Sequence, residues 1–452
     1  MTIGKDVVIC GAGISGIAAA HALAHSGLRN ILLVDERPPL TLTSAQSSEC
    51  YRNWWPDPAM LALMNRSIDL MEQLAAESGN ALRMNRRGYL YVTADEGSLT
   101  LRRQRWHRIS QLGAGPLRVH TESVSAYVPH AADGHEGQPI GADLLLDPDL
   151  IRKHFPGLSP NIVAALHVRR AGWLSAQQLG MLLLERALAL GVEFASGKIT
   201  GVSTGGGRIK EVALASGERI GCGAFVNAAG PFLVPVARMQ DLELPVFCEL
   251  HSKAVVRDHL GVVARNAPLL IWSDPQLLPW ADDERTHLSS DPETAWLTQQ
   301  FPAGVHTRPE GSAESRTILM LWEYRRSSRT EPVWPLSLDL TFPEVALRGL
   351  SAMLPRLRDY FGRIPRAQLD GGHYTKTPEN RPIVGPTALE NSFIIGASSG
   401  FGIMSACAAA ELLAQHVTGA ALPKYASDFA LARYDQPGYL DAALAAAENG
   451  QL

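Results

Sequence analysis

No uninterrupted apolar run in this chain of 452 residues reaches the about 20 residues that a membrane-spanning helix needs, so no membrane span is expected. Neither sign of charge dominates. The 41 lysines and arginines against 45 aspartates and glutamates leave a net charge of −4, which argues against a nucleic-acid-binding or anionic-membrane surface. Cysteine is scarce: the five, Cys10, Cys50, Cys222, Cys248 and Cys407, are odd in number, widely spread and form no CxxC pair. A disulfide framework and a zinc site are therefore not expected, and neither is any metal. Tandem repeats are also absent. The first strand begins by residue 7, which leaves no room for a signal peptide, so a reducing cytoplasm is the expected compartment.

The N-terminal strand Val7–Cys10 runs into Gly11-Ala12-Gly13-Ile14-Ser15-Gly16, then an alanine-rich helix, then a second strand ending at Asp35. Strand, glycines, helix, strand and acid in this order form a dinucleotide-binding βαβ unit. Gly11 permits the tight turn, Gly13 lets backbone N–H groups approach a pyrophosphate, and Gly16 lets the helix pack on the strand. The helix N-terminus adds partial positive charge toward the phosphates. Asp35, 19 residues after Gly16, stands where a carboxylate accepts from a ribose, with Glu36 beside it. This unit alone leaves NAD and FAD both open.

Further along, Asp57-Pro58 reads as an N-cap and first-turn proline opening a helix to about Ser78, with Met60, Met64, Ile68, Met71 and Leu74 on one face as core. Arg87–Thr93 alternates as a strand, and 130–140 reads as a surface loop. Ser175 caps a helix Ala176–Leu190, and short strands follow to Asn227-Ala228-Ala229-Gly230-Pro231, whose small residues suit a flat ligand. Residues 240–368, richer in tryptophan and proline, read as a second unit containing a strand Ile318–Tyr324. The chain then returns to α/β character at HYTKTPENRPIVGP (373–386) and at Gly396-Ala397-Ser398-Ser399-Gly400-Phe401-Gly402-Ile403-Met404. That second glycine-rich turn feeds a helix over about 405–417 and offers another electropositive pole.

These three blocks together resemble the D-amino-acid oxidase superfamily of FAD enzymes, with the sarcosine-oxidase-like branch nearest. The most specific piece is HYTKTPENRPIVGP with GASSGFGIMSA. The resemblance implies a mixed α/β fold in which a Rossmann-type FAD-binding domain (1–80, 150–236 and 368–440) is interleaved with an antiparallel-sheet substrate domain (81–149 and 237–367), followed by a tail at 441–452. It implies FAD held by Gly11, Ala12, Gly13, Ile14, Ser15, Gly16, Asp35 and Glu36, by Ile199 at the adenine, by Ala228, Ala229 and Gly230, and by Gly400, Phe401, Gly402, Ile403 and Met404 near the pyrimidine end. It also implies that Arg52 and Lys376 bind a substrate carboxylate together, and that Tyr324 orients the amine unless it is ordinary packing. His251 and Tyr51 are further candidates for the pocket wall.

Two departures refine the expectation. Arg37–Asn53 contains no histidine, and the position where relatives carry a flavin-linking cysteine reads Gly371-Gly372, so FAD is expected to be non-covalent. Where some relatives place a lysine that assists the reaction with O2, this chain has Met320, whose thioether supplies no charge, and Met320 with Trp322 suggests an apolar pocket. The expected activity is oxidation of the C–N bond of an amino acid or secondary or N-methyl amine by hydride transfer, with O2 or another acceptor. The alternatives are a 2-hydroxyacid or glycerol-phosphate dehydrogenase of the same superfamily, a non-catalytic flavin-binding subunit of a larger complex, and an NAD dehydrogenase. The oligomeric state is not legible.

Overall fold

The structure, a computed structural model, describes residues 3–312, 314–325 and 327–446. Its first sheet has eight strands. Six run in the order Ile199–Gly205, Arg208–Leu214, Arg219–Asn227, Ile3–Cys10, Ile31–Asp35, Glu193–Ser196, and Ser392–Gly396 joins on Arg219–Asn227 with Ile383–Pro386 beside it. The central pairs are parallel, and their register sets Cys10 opposite both Val34 and Asn227, with Asn227 opposite Ile394. The C-terminal ends of four strands are thereby level, and the chain leaves each of them through one of the segments Gly11–Gly16, Asp35–Arg37, Ala228–Gly230 and Ala397–Gly402. Crevices at such strand ends are where doubly wound sheets bind ligands.

Helices Ile14–His25 and Gly402–Thr418 pack against each other on one face of this sheet. Ala18, Ala19 and Ala20 of the first and Ala406, Ala408, Ala409 and Ala410 of the second are buried. Side chains this short let two helices approach closely, which brings the N-termini of two segments almost 400 residues apart in sequence to the same crevice. Helix Pro58–Glu77 packs on Gly402–Thr418 in turn, its N-terminus fixed by Asp57 Oδ1 accepting from Met60 N at 2.8 Å.

The second sheet has ten strands, in the order Ser328–Arg329, Phe247–Arg257, Thr317–Leu321, His306–Glu310, Leu269–Trp272, Tyr89–Thr93, Ala164–Val168, Ala142–Leu145, Leu117–His120, with Gln368–Lys376 also paired to Phe247–Arg257. Most neighbours are antiparallel. Two strands stand apart from the expected division of the chain: Ala164–Val168 and Gln368–Lys376 fall in segments assigned from sequence to the FAD-binding unit, yet both pair in the second sheet. The strand expected over Ile318–Tyr324 is Thr317–Leu321. At the C-terminus a helix spans Tyr439–Ala446, and the rest of the expected tail, 447–452, lies outside the described residues. Among the described residues no helix is long and apolar enough to cross a membrane.

Gln368–Lys376 ties the two sheets together. Thr43 Oγ1 donates to His373 O at 3.0 Å, and Ser399 N donates to Thr375 O at 2.9 Å. The strand that borders the second sheet is thus bonded to the segment that follows Asp35 and to the second glycine-rich turn.

Candidate active site

Two cavities meet at this junction. The larger, of about 340 Å³, follows the strand ends. Gly11, Gly13, Ile14, Ser15, Asp35, Glu36, Ile199, Ala228, Ala229, Gly230, Gly400, Gly402 and Ile403 line it, all of them residues expected to hold FAD. Ala12 and Gly16 stand behind the lining. A Cβ on Gly16 would lie 1.8 Å from Gly11 O, and one on Gly11, whose φ is +108°, would lie 2.5 Å from Ala228 O. The glycines therefore permit the turn and its close approach to the third strand end. Asp35 Oδ2 accepts from Ala12 N at 2.7 Å and Oδ1 from Arg37 N at 2.9 Å, so its carboxylate also braces the loop.

The second turn carries strain of its own. Ala397 (φ 54°) and Ser399 (φ 49°) occupy left-handed backbone beside Gly400 (φ 91°). For residues with a Cβ this costs about 1 kcal/mol or more each, and such outliers collect at ligand sites. The cavity wall here is consequently backbone and small side chains, facing the N-terminus of helix Gly402–Thr418. Backbone N–H groups at two helix ends, an acidic strand end and a long groove of glycine and alanine fit FAD.

The smaller cavity, of about 100 Å³, adjoins the first at Tyr374 and Gly400, which line both. Phe401 and Met404, expected on the cofactor side, face this second space, together with Cys50, Arg52, Tyr89, His251, His306, Leu321, Trp322 and Glu323. Arg52 comes from strand Cys50–Arg52, which pairs antiparallel with Ala171–Trp173. Its guanidinium lies 4.3 Å from the Trp55 ring centroid, 5.8 Å from Tyr89 and 6.0 Å from Phe401, while Nε donates to Trp54 O at 3.4 Å. Aromatic stacking orients a guanidinium without neutralising it.

The expected pairing of Lys376 with Arg52 is not what the structure assembles. Lys376 lines neither cavity. Its Nζ donates to Glu249 Oε2 at 2.8 Å, with both side chains almost fully buried. Alternation along Gln368–Lys376 puts Tyr374 and Lys376 on the same side, but Lys376 stands two residues beyond Tyr374, opposite Phe247, and its amine reaches diagonally to Glu249, which is opposite Tyr374. Tyr324 is also outside both cavities. Its ring stacks on Trp296 and Phe342 and its hydroxyl donates to Asp339 Oδ2 at 3.4 Å, the packing alternative. Met320 is wholly buried in a core cluster of the second sheet and lines neither cavity. Tyr51 is likewise interior, donating to Asn85 O at 2.7 Å.

His251, in contrast, lines the cavity and stacks on Tyr374 with centroids 3.9 Å apart. It belongs to a row of alternating charge. Nε2 lies 3.3 Å from Glu249 Oε2, and Nδ1 lies 3.1 Å from Glu323 Oε1. Burial lowers the pKa of His251, but the bonds to Glu249 and Glu323 outweigh it and the net shift is upward. Burial raises Glu249, yet its bonds from His251 and Lys376 hold it down at about 2. His306 differs: burial pushes it down to about 4, and the neutral ring donates from Nδ1 to Gly304 O at 2.7 Å. Cys10 in the larger cavity is pushed up to about 12 by burial and Asp35, and burial also raises Cys50, so both are thiols near neutral pH. Glu323 was missed from sequence. Counting alternate residues from Leu321 along the strand would have found it on the same face.

A family model described as DAO, FAD dependent oxidoreductase, matches residues 6–416. Mitochondrial dimethylglycine dehydrogenase of Mus musculus is 21% identical over 429 residues, covering 91% of this chain and 42% of that protein. This chain thus spans about two fifths of the length of the dimethylglycine dehydrogenases it matches. Monomeric sarcosine oxidase of Streptomyces avermitilis is 28% identical over 191 residues, 42% of either chain. In fold, the crystal structure of L-proline dehydrogenase from P.horikoshii superposes with a TM-score of 0.73 at 17% identity, covering 96% of this chain and 99% of that one. A family match running from the first strand through the helix after the second glycine turn, over a fold shared with these flavoenzymes, places the chain: it belongs to the DAO family of FAD-dependent oxidoreductases.

Proposed function

We propose that this chain oxidises the C–N bond of an amino acid, or of an N-methyl or other secondary amine bearing a carboxylate, to an imine that then hydrolyses. The observation that carries the reading is Arg52, a buried cation held by aromatic rings in a small cavity that opens on the nucleotide groove at Tyr374 and Gly400. A planar guanidinium binds a carboxylate in two parallel hydrogen bonds, which fixes both the position and the rotation of a small amino acid. Leu321, Trp322, Phe401 and Met404 supply apolar walls that exclude water around the reacting carbon. FAD, when bound, supplies the two-electron acceptor for the hydride that leaves that carbon. The N-terminus of helix Gly402–Thr418 directs partial positive charge to the same junction, where it stabilises negative charge formed by reduction.

In this reading Arg52 is the carboxylate-binding residue, and Lys376, bonded to Glu249, does not touch the substrate. FAD is held without a covalent bond: Gly372 offers no nucleophile, and the thiols of Cys10 and Cys50 are kept protonated. The reaction takes place in the cytoplasm, and O2 or another acceptor completes the cycle.

Anaerobic mixing of the purified yellow protein with a panel of N-methyl, cyclic and D- or L-amino acids tests the proposal. Bleaching of the flavin by at least one amine is the expected result. Bleaching by 2-hydroxyacids alone, or by no member of either class, overturns it. Reoxidation by air compared with reoxidation by a dye then identifies the acceptor class.

A further inference from the structure

His306 brings to the small cavity a ring nitrogen whose hydrogen-bonding sense is fixed. The residue opens strand His306–Glu310, in register with Leu321 on one side and Ile271 on the other, and is 9% exposed. Its Nδ1 is 2.7 Å from Gly304 O, and a carbonyl oxygen can only accept, so Nδ1 carries the ring proton. Burial, helped by Arg52 and Arg308, keeps a second proton off the ring against the opposing pull of the Gly304 bond and Glu323. Near neutral pH Nε2 is therefore a bare lone pair. Among the described residues none hydrogen-bonds to it, and both His306 and Gly304 line the cavity.

The ring is held in this orientation by the loop before it. Gly304 N donates to Trp272 O at 2.8 Å and Trp272 N donates to Val305 O at 3.0 Å, which ties the carbonyl that fixes Nδ1 to the neighbouring strand. Arg308, two residues on and on the same side of the sheet, donates to the carbonyl of Ser48, another residue of the cavity wall, at 2.9 Å.

We propose that His306 accepts, at Nε2, a hydrogen bond from the nitrogen of the bound amine, so that this cavity favours amines that keep an N–H when neutral, the primary and secondary ones, over tertiary amines. The inference rests on the amine-oxidation reading of this cavity. A carboxylate has no proton to give, so the acid end of the substrate gains nothing from Nε2 and the nitrogen is the end that donates. A neutral tertiary amine has no such proton either. It would set an alkyl group against a buried acceptor and leave that acceptor dry and unpaired.

A neutral acceptor also suits the chemistry. Hydride leaves the carbon only when the nitrogen lone pair is available, so the reactive form is the neutral amine. An imidazole bonded to one N–H orients the nitrogen and leaves its lone pair to the reacting carbon, and the ring itself adds no negative charge that would hold the amine as ammonium. His306 thus binds and orients the substrate and takes no proton from it.

The test uses two aromatic acids of equal size that amine oxidation does not consume, pyrrole-2-carboxylate, which presents an N–H, and furan-2-carboxylate, which presents an oxygen in its place. Each is titrated into the FAD-bound protein and followed by the change in flavin absorbance. The unmodified protein is expected to bind the pyrrole acid about tenfold more tightly, since the furan acid sets one acceptor against another. In His306→Phe and His306→Leu, which remove the acceptor at two different volumes, the ratio falls to near one. Equal affinities in the unmodified protein, binding of neither acid, or a preference that survives in either variant overturns the proposal. Because neither acid is oxidised, the ratio is readable even if no amine bleaches the flavin, so the failure of the two readings can be told apart. For any secondary amine that does bleach the flavin, N-methylation to the tertiary amine is expected to lower kcat/KM by at least about tenfold, and a tertiary amine oxidised as well as its secondary parent also overturns the proposal.

Discussion

Replacing Lys376 by methionine separates a residue that binds substrate from one that holds a buried acid. The side chains of Lys376 and Glu249 are 4% and 7% exposed, and their charged atoms are 2.8 Å apart. Removing one partner from a buried pair costs about 3–5 kcal/mol, mostly because the other charge is left uncompensated. Glu249 keeps its contacts with His251 and Ser328, so the lower end, about 3 kcal/mol, applies here. With about 2.1 cal/mol/K of unfolding entropy per residue, a chain of 452 residues unfolding as one unit loses about 1 °C in Tm for each kcal/mol. Lys376→Met should therefore lower Tm by about 3 °C.

Because Lys376 lines neither cavity, KM for a carboxylated amine should change by less than about tenfold. Adding Glu249→Gln removes the stranded charge, so the double variant should recover more than half of the lost Tm. Differential scanning calorimetry and steady-state kinetics on the FAD-bound protein read both quantities. Arg52→Met is expected to raise KM about 100-fold, through the loss of a bidentate charged contact. The reasoning is refuted if Lys376→Met raises KM as steeply as Arg52→Met while Tm stays where it was.

Acid precipitation should leave all of the yellow colour in the supernatant, and flavin retained in the pellet would contradict non-covalent binding. Gly400→Ala forces a Cβ to within 2.4 Å of Tyr374 Cε2 at a φ of +91°, so the dissociation constant for FAD, measured by fluorescence recovery, should rise about tenfold. Two limbs of pH-dependent stability follow from the charge row. His251 is raised in the folded protein, so its stabilising contribution is complete below its ordinary 6.5 and is lost as pH rises through the raised value. Glu249, held at about 2, stabilises above its ordinary 4.5 and loses that contribution as pH falls toward 2. Tm of Glu249→Gln measured against pH should be flatter on both limbs, and an unchanged profile would remove the row from the account.

The nucleotide groove was legible in the sequence because its requirements are backbone requirements. Gly11 is needed where a Cβ would strike Ala228 O, and Gly16 where one would strike Gly11 O, so the amino-acid types themselves report the close approach. The long-range step, bringing Gly400 beside Gly11, was carried by the family resemblance of the three blocks, and the structure makes it through two alanine-bearing helices that pack together. Substrate-facing residues obey a different rule, since whether a strand residue meets the cavity depends on its face and on its distance along the strand. Met320 and Leu321 are adjacent and equally apolar, yet one is sealed in the core and the other lines the site. Lys376 shares a face with Tyr374 but stands two residues too far along, opposite Phe247, and it is bonded diagonally to Glu249, an acid on the neighbouring strand that nothing local in the sequence announces. Arg52 was named through the family resemblance, and the structure sets it at the end of strand Cys50–Arg52, opposite Ala171 and among the rings of Trp55, Tyr89 and Phe401. Arg52 lines the small cavity among these rings, whereas Lys376 lines neither cavity and is bonded to a buried carboxylate. In the proposed reading that difference in placement, rather than the presence of two basic residues near the flavin blocks, assigns the substrate carboxylate to Arg52.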